Sequence, residues 1–249
     1  MAIKLTGSGG SIRFSGTGGS LKVSSSGGGG GGGGGGVVAV GLVMYLDAGN
    51  PASYPGSGTT WTDLSGQGNN ATLINGPTFD SGNGGSIVFD GNNDYASATT
   101  NGFPFGSNAG TISGWAKATS VGGGPPSWIF SYGTAAQSQA RFIGRLGSTF
   151  YAGGYNDDIT YNTVPLNTWF NMVATWDGSN ARMYIDGALV AGPTSKSWNT
   201  TGTTAYVGSQ TNTWENWIGN IAQVLVYDKA LSDAEVLQNF NVDKARFGL

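Results

Sequence analysis

The chain has 249 residues, of which 38% are hydrophobic, 12% aromatic and only 10% charged, with a formal net charge of −3. The sequence contains no cysteine, which excludes disulfides and thiolate metal sites. It also contains no histidine, so it lacks the commonest general base and zinc ligand, and Ser-His-Asp and Cys-His catalytic sites are excluded.

Residues 1–26 contain a short repeat in which each unit has an apolar, a basic and an apolar residue, followed by small polar residues and glycine. This alternation predicts very short strands joined by turns, which bury too little surface to fold alone. We therefore expect a β-repeat anchoring arm that docks onto neighbouring chains; the alternative is a disordered tail. The anchoring side chains would be Ile3, Leu5, Ile12, Phe14, Leu21 and Val23.

Residues 27–36 are an uninterrupted run of glycines, which predicts a flexible linker to a third unit, residues 37–249.

Residues 1–36 carry three basic residues and no acid, and the rest carries eight basic and fourteen acidic residues, so the two parts have charges of +3 and −6. Three dispersed cations are too few to indicate nucleic-acid binding. The sequence shows neither a signal peptide nor an apolar run of roughly 20 residues, so we expect synthesis in the host cytoplasm and no membrane partner.

From residue 37 onward, short apolar runs alternate with clusters of Gly, Asn, Asp and Ser about every 8 to 12 residues, which is typical of an all-β sandwich. Residues 169–176 alternate as a strand, residues 177–180 form a turn, and residues 181–185 return as the second strand of a hairpin. Residues 221–227 are apolar nearly throughout, which predicts a central strand.

One helix is predicted near the end of the chain. Ser232 and Glu235 have the spacing of a capping box. Val236, Leu237 and Phe240 follow as an apolar face, so we expect a short helix that packs against the sandwich.

Five segments, in order along the chain, resemble the laminin-G-like, concanavalin A-like lectin and glucanase family. They are residues 41–66 (GLVMYLD…WTDLSG), 88–95 (VFDGNNDY), 111–115 (TISGW), 169–187 (the hairpin ending YIDG) and 219–232 (GNI…YDKALS). The resemblance implies an all-β, two-sheet antiparallel jelly-roll sandwich that binds glycans or proteins, and a structural calcium ion in some members. It does not extend to residues 1–40.

The glycine-rich head joined to such a domain also resembles bacteriophage virion proteins such as head decorations, fibres and tail adhesins. This second resemblance implies a position on the virion surface. It also implies a homo-oligomer, such as a trimer, and other virion proteins as partners of residues 1–36.

Catalysis by the sandwich is not expected. Retaining glucanases need two carboxylates about 5 Å apart on one face. The chain has only two glutamates, of which Glu235 is assigned to the helix cap and Glu215 has no acidic neighbour in sequence. Asp157 and Asp158 are adjacent, so on a strand they would point to opposite faces. We therefore predict that the protein is not an enzyme.

Calcium is the one metal ion that the composition supports, because it prefers carboxylate and amide oxygens. Asp90 and Asp94 lie in one turn together with Asn92 and Asn93. With Asp47, these two aspartates are the candidate ligands. The alternative is a turn whose side chains cap their own backbone.

A sugar site would combine exposed aromatic rings with amide and carboxylate groups, and two segments have that composition. The candidate glycan-binding residues are Tyr155, Asp157, Asp158, Tyr161, Trp214, Asn216 and Trp217. For Trp214 and Trp217 the alternative is a place in the core, which we expect for Trp115, Trp169 and Trp176.

The sequence therefore favours a phage capsid decoration or fibre protein that displays a lectin-like sandwich for adhesion to a host-surface glycan. Two alternatives remain. One is a purely structural capsid cement protein that binds no sugar. The other is a secreted bacterial carbohydrate-binding module.

Overall fold

The computed structural model describes residues 36–120, 126–210 and 215–249. These residues form two antiparallel β-sheets of eight strands each, which pack face to face as a sandwich, with one short helix near the C-terminus. The predicted fold class is thus confirmed. The predicted arm, residues 1–26, lies outside the described residues, as does the glycine linker apart from Gly36.

The first sheet has the spatial order β14-β13-β12-β7-β16-β5-β4, and β1 pairs with the C-terminal half of β16. Its strands are β1 (Leu42–Asp47), β4 (Thr78–Asp80), β5 (Ser86–Asp90), β7 (Gly110–Ala118), β12 (Trp169–Trp176), β13 (Asn180–Ile185), β14 (Ala188–Ser195) and β16 (Ile218–Tyr227).

The second sheet has the order β11-β10-β9-β8-β15-β6-β3-β2. Its strands are β2 (Thr60–Trp61), β3 (Ala71–Ile74), β6 (Tyr95–Ala98), β8 (Ser127–Gly133), β9 (Ala140–Leu146), β10 (Thr149–Gly153), β11 (Ile159–Asn162) and β15 (Ala205–Val207).

The predicted hairpin is confirmed as β12 and β13. Its turn is fixed by Asp177, whose Oδ1 accepts the backbone N–H groups of Ser179 and Asn180. The predicted central strand is β16, which pairs with β7 along one side and with β5 and β1 along the other. On β12, Phe170, Met172, Ala174 and Trp176 face the second sheet and join the main core, as their alternation indicates.

The outer face of the first sheet is also buried. Helix α1 (Asp233–Asp243) and the 3-10 turn after it pack Phe240 and Phe247 onto Trp115, with ring centroids 5.6 and 4.2 Å apart. Trp169 contacts Phe247 at 4.7 Å. The core positions expected for Trp115, Trp169 and Trp176 are confirmed, and the first two belong to this outer cluster.

Helix α1 begins at the predicted capping box, with Ser232 as N-cap and Glu235 at the third helical position. The predicted apolar face was wrong at one residue, because Leu237 is 46% exposed. The helical period instead turns Asn239 inward, where its side chain accepts the N–H of Val38 and donates to the Tyr227 hydroxyl.

Arg246 fastens the C-terminal segment to the end of β1 and to the turn before β5. Its guanidinium donates to Asp47 Oδ1 (2.8 Å) and to the carbonyl oxygens of Asn83 and Gly85. Across the described parts of the chain, no helix has the length and apolar character needed to cross a membrane.

Replacing the N-cap tests the helix assignment. We expect Ser232→Ala to lower the free energy of unfolding by about 1 kcal/mol, because it removes the acceptor of the Glu235 N–H. Urea denaturation followed by tryptophan fluorescence would measure the change. Ser179→Ala, an exposed serine whose hydroxyl makes no hydrogen bond in the structure, is the matched control and should leave stability within about 0.5 kcal/mol of the parent. Equal losses in the two variants would contradict the capping role.

Candidate functional site

The second sheet has one face turned toward the core and another that carries no helix within the described residues. Because successive side chains of a strand point to opposite faces, every second residue of a regular strand in this sheet lies on the open face. On β15, for example, Ala205 and Val207 belong to the core, so Tyr206 between them points outward. On β8 and β9 the outward residues, apart from the last of each strand, are themselves buried, so a ligand can contact the open face directly mainly on the strands that flank them.

Five consecutive strands, β10-β9-β8-β15-β6, each place one aromatic side chain on this open face. The tyrosines Tyr151, Tyr206 and Tyr95 each stand next to core residues of their own strand. Trp128 and Phe142 belong to a separate buried cluster with Ala140. We call this row the aromatic band; its members, in spatial order, are Tyr151, Phe142, Trp128, Tyr206 and Tyr95.

Ring contacts divide the aromatic band into two groups. The Trp128 and Phe142 centroids are 4.0 Å apart, and Tyr151 and Tyr155 pack against this pair. Tyr206 and Tyr95 form a second, edge-to-face pair at 5.9 Å. Trp128 and Phe142 are themselves buried, so the half-buried tyrosines Tyr151, Tyr155, Tyr206 and Tyr95 present the accessible ring surface.

Side chains with hydroxyl groups lie on the same face of the sheet, in register with Phe142 and Tyr206. In register across the strands, Phe142 pairs with Ser131, Ser131 with Tyr206, Tyr206 with Ser97, and Ser97 with Thr72. The Ser131 hydroxyl donates to Ser209 O, which fastens the segment after β15 onto the sheet. Ser97 is half-buried and Thr72 exposed, so the open face is aromatic toward β10 and rich in hydroxyls toward β3.

Tyr155 lies at the end of the band, in a loop that also carries Asp158. Tyr155 and Asn156 both adopt left-handed backbone conformations, with φ of 58° and 59°. Burial raises the pKa of Asp158, and the nearby backbone N–H groups of Gly154 and Tyr155 oppose that rise. The half-buried Asp158 side chain therefore belongs to the interior of this loop.

Asp157 connects three segments at the same end of the sheet. Its carboxylate accepts Lys196 Nζ at 2.9 Å and the Ser138 hydroxyl at 3.3 Å. Its carbonyl oxygen accepts Trp198 Nε1 at 2.8 Å. These bonds fix the loop that carries Tyr155, so Asp157 supports it.

Glu215 brings the second predicted segment to the same aromatic band. Its Oε2 accepts the indole N–H of Trp128 at 2.7 Å, and its backbone has a left-handed φ of 67°. Burial raises the pKa of Glu215 above its ordinary value, and the hydrogen bond from Trp128 opposes that rise. The two segments chosen from composition thus meet over Trp128 and Phe142, which were not among the candidate site residues. On β9, the alternation of Phe142 with Arg141 and Ile143 was a signal for an outward ring. On β8, alternation would have placed Trp128 with the core residues Phe130 and Tyr132, and the irregularity between Trp128 and Phe130 turns it outward instead.

Three predicted glycan-binding residues do not join the band. Trp217 is 0% exposed and packs against Phe170 in the core between the sheets, so the prediction of a surface position was wrong. Asn216 is also buried, and its side-chain amide donates to Asn92 O. Tyr161 pairs in register with the core residue Phe150, which puts it on the opposite face of the sheet from Tyr151, at the β11 edge, where it is 40% exposed. Trp214 lies outside the described residues.

The three predicted metal ligands are not brought together. Asp90 accepts the backbone and side-chain N–H groups of Asn92, and the former lowers its pKa most. Asp94 accepts the N–H of Asp90, and burial raises its pKa. Asp47 is instead paired with Arg246. Within residues 36–120, 126–210 and 215–249, no three acidic side chains are grouped so that they could hold a metal ion, and calcium binding stays a prediction.

The Glu215–Trp128 contact can be tested by titration. Because Glu215 and Glu235 are the only glutamates, side-chain carboxyl ¹³C labelling of glutamate yields two NMR resonances. We expect the pKa of Glu215 to lie above its ordinary value and to rise further in Trp128→Phe, which removes the donor to the carboxylate. Glu235, whose pKa is lowered by Lys229 and Ser232, is the internal control and should not move. A fall in the Glu215 pKa on substitution would contradict the contact.

Comparison with known proteins gives the family and the fold. The family described as the Concanavalin A-like lectin/glucanases superfamily matches residues 90–237, which is more than half of the chain. No curated protein matches the sequence. Among solved structures, domain 4 of AbnA, a GH43 extracellular arabinanase from Geobacillus stearothermophilus in complex with arabinotriose, has a TM-score of 0.60 at 15% identity. That match covers 80% of this chain and 97% of the arabinanase domain.

Two toxin domains have the same fold. The binding domain of Botulinum neurotoxin DC, in complex with rat synaptotagmin II, has a TM-score of 0.60 at 15% identity and 81% coverage of this chain. The binding domain of Paraclostridial Mosquitocidal Protein 1 has a TM-score of 0.58 at 20% identity and 80% coverage. The present chain spans about half of each toxin domain, 51% and 52%. With the family match and the two-sheet fold in agreement, this chain belongs to the concanavalin A-like lectin/glucanase superfamily.

Proposed function

We propose that the protein is a non-catalytic glycan-binding module that uses the open face of the second sheet. The aromatic band carries this proposal, because four half-buried tyrosines line one face beside the accessible hydroxyl groups of Ser97 and Thr72. The apolar faces of sugar rings pack on aromatic side chains, and sugar hydroxyls need hydrogen-bond partners at fixed positions. Side chains on neighbouring strands are about 4.8 Å apart, which suits contacts to several sugar units.

The structural roles of both glutamates support the non-catalytic part of the proposal. Glu235 accepts Lys229 Nζ at 2.6 Å and closes the capping box. Glu215 accepts the Trp128 indole, and its raised pKa is caused by burial. A retaining glycosidase requires a second carboxylate about 5 Å from the first, and both glutamates already have these structural roles.

Sugar binding is tested by substituting the tyrosines of the open face in the full chain. A glycan array that includes arabinotriose, the sugar held by the arabinanase domain, would find a ligand, and isothermal titration would measure its affinity. We expect Tyr155→Ala and Tyr151→Ala each to weaken binding about tenfold, or about 1.4 kcal/mol, because stacking surface is lost.

Tyr161→Ala is the matched control, since Tyr161 is exposed on the same sheet but belongs to its other face. It should bind as tightly as the parent. Equal losses in all three variants, with stability unchanged, would place the site elsewhere. Binding to no glycan would favour the cement hypothesis, and hydrolysis of a bound glycan would overturn the non-catalytic proposal.

We further propose that the module is displayed on a phage virion by the arm, residues 1–26, through the linker. The support is the sequence of the arm, with its repeated apolar-basic-apolar units and glycine run. Display in many copies would raise a weak single-site affinity by avidity. A cement protein would use the same arm, so the glycan array separates these two functions.

The anchoring role of the arm is tested by changing its apolar residues. We expect the full chain to form a homo-oligomer, and Ile12→Ser combined with Phe14→Ser to shift it toward monomer, because the arm buries apolar side chains between chains. Sedimentation velocity would measure the masses. Lys4→Ser combined with Lys22→Ser changes the same segment without removing apolar surface and should leave the assembly largely intact. A monomeric parent would contradict self-association through the arm.

A further inference from the structure

The strands of the second sheet carry almost no charge. Among the residues of its eight strands, Arg141 and Arg145 on β9 are the only charged ones. The Arg141 guanidinium carbon lies 4.3 Å from the centre of the Trp176 ring on the facing sheet, and that of Arg145 lies 5.6 Å from the ring of the core residue Trp217. Because both arginines point into the sandwich and are only 3% and 1% exposed, neither meets a ligand on the open face.

The side chains that reach the open face are neutral. Thr160 of β11 lies opposite Tyr151, and Asn162 lies opposite Thr149, which puts each pair on the same face of the sheet. Thr160 and Asn162 are both exposed. On the other flank, the accessible residues include Tyr206, Tyr95, Ser97 and Thr72. This surface offers rings, hydroxyl groups and an amide to an uncharged sugar, and it offers no cation to a carboxylate.

The charges that border the open face are mostly acidic. Glu215 Oε2 accepts Trp128 Nε1 at 2.7 Å, in the middle of the aromatic band. Asp158 lies against the glycine that ends β10, since a Cβ built on that glycine would collide with its carboxyl group. Lys196 is the base at this border, and it already pairs with Asp157 at 2.9 Å. Three carboxyl groups and one ammonium group leave the border with an excess of negative charge.

The other five bases after residue 36 belong to the first sheet or to the segments that cover it. Three of them form ion pairs with acids of the same region, and two lie over rings of its outer aromatic cluster; they are Arg182, Lys229, Arg246, Lys117 and Lys244. An anionic group on the open face would therefore lose its water without gaining a cation. It would also be repelled by the carboxylate of Glu215.

We propose that the open face selects uncharged glycans and rejects those with carboxylate or sulfate groups on the units that contact it, and that Glu215 is a specificity-determining residue for this rejection. The inference rests on the proposed glycan-binding function and adds the chemical class of the ligand. Like charges brought together across an interface discriminate against the wrong partner, even where they add nothing to the affinity for the right one.

Matched sugars test the selection. Oligosaccharides of glucose, galactose and mannose are arrayed unmodified, oxidised at their primary hydroxyl groups to carboxylates, and as the methyl esters of those carboxylates. We expect the full chain to bind an unmodified form and to bind its oxidised form about tenfold more weakly, since the charge is repelled. The ester is as large as the oxidised form but uncharged, so it should recover most of the lost affinity. Equal binding of the oxidised form, or no recovery in the ester, would overturn the inference.

Variants assign the rejection to one carboxylate. Glu215→Gln keeps the side-chain length and an acceptor for the Trp128 indole but removes the charge, so the ratio of unmodified to oxidised affinity should fall about fivefold. Glu235→Gln is the matched control, because it removes the same charge from α1, which covers the other sheet, and keeps a capping box. It should leave the ratio unchanged. A ratio in Glu215→Gln equal to that of the parent would overturn the role of Glu215.

Failure of the selection can be told apart from failure of the proposed function. Binding to no glycan, or a glycan that Tyr151→Ala and Tyr155→Ala bind as tightly as the parent, would overturn the proposed function and the selection with it. If those two variants weaken binding and the parent binds charged and uncharged forms equally, the open face is the glycan site and only the selection is overturned.

Discussion

The burial of the central strands of the first sheet, β7, β12 and β16, on both faces is the constraint on which the rest of the structure depends. Its inner face meets the second sheet, and its outer face is covered by α1 and the following turn through Trp115, Trp169, Phe240 and Phe247. The exposed parts of the sandwich are therefore its edges, such as β14, and the flanks of the open face of the second sheet, where the half-buried tyrosines of the aromatic band lie.

The acidic residues of the loops near the band act chiefly within the protein. Asp157 connects three segments, and Glu215 fixes the Trp128 indole. Such contacts order a binding surface before a ligand arrives, and preorganisation lowers the entropy cost of binding. For these carboxylates, composition did not reveal the structural role, since a loop aspartate that bonds within its own protein has the same sequence as one that faces a sugar.

Local patterns predicted the fold well. The alternation in β12, the turn at Asp177 and the capping box at Ser232 are each decided by residues within one element. The open face could not be predicted in the same way, because Tyr151, Phe142 and Tyr206 become neighbours only through strand order β10-β9-β8-β15. Trp217 shows the reverse problem. It stands in a polar segment with no strand pattern, yet the segment turns inward just before β16, and the ring enters the core.

Strand β9 carries residues of both faces of the second sheet. Arg141 points between the sheets, and its neighbour Phe142 points outward against Tyr151 and Tyr155, because successive residues of a strand alternate. The Arg141 guanidinium carbon lies 4.3 Å from the centre of the Trp176 ring on β12, so β9 contacts the facing sheet through the same backbone that carries Phe142. The packing between the sheets and the floor of the aromatic band are in this way properties of one strand.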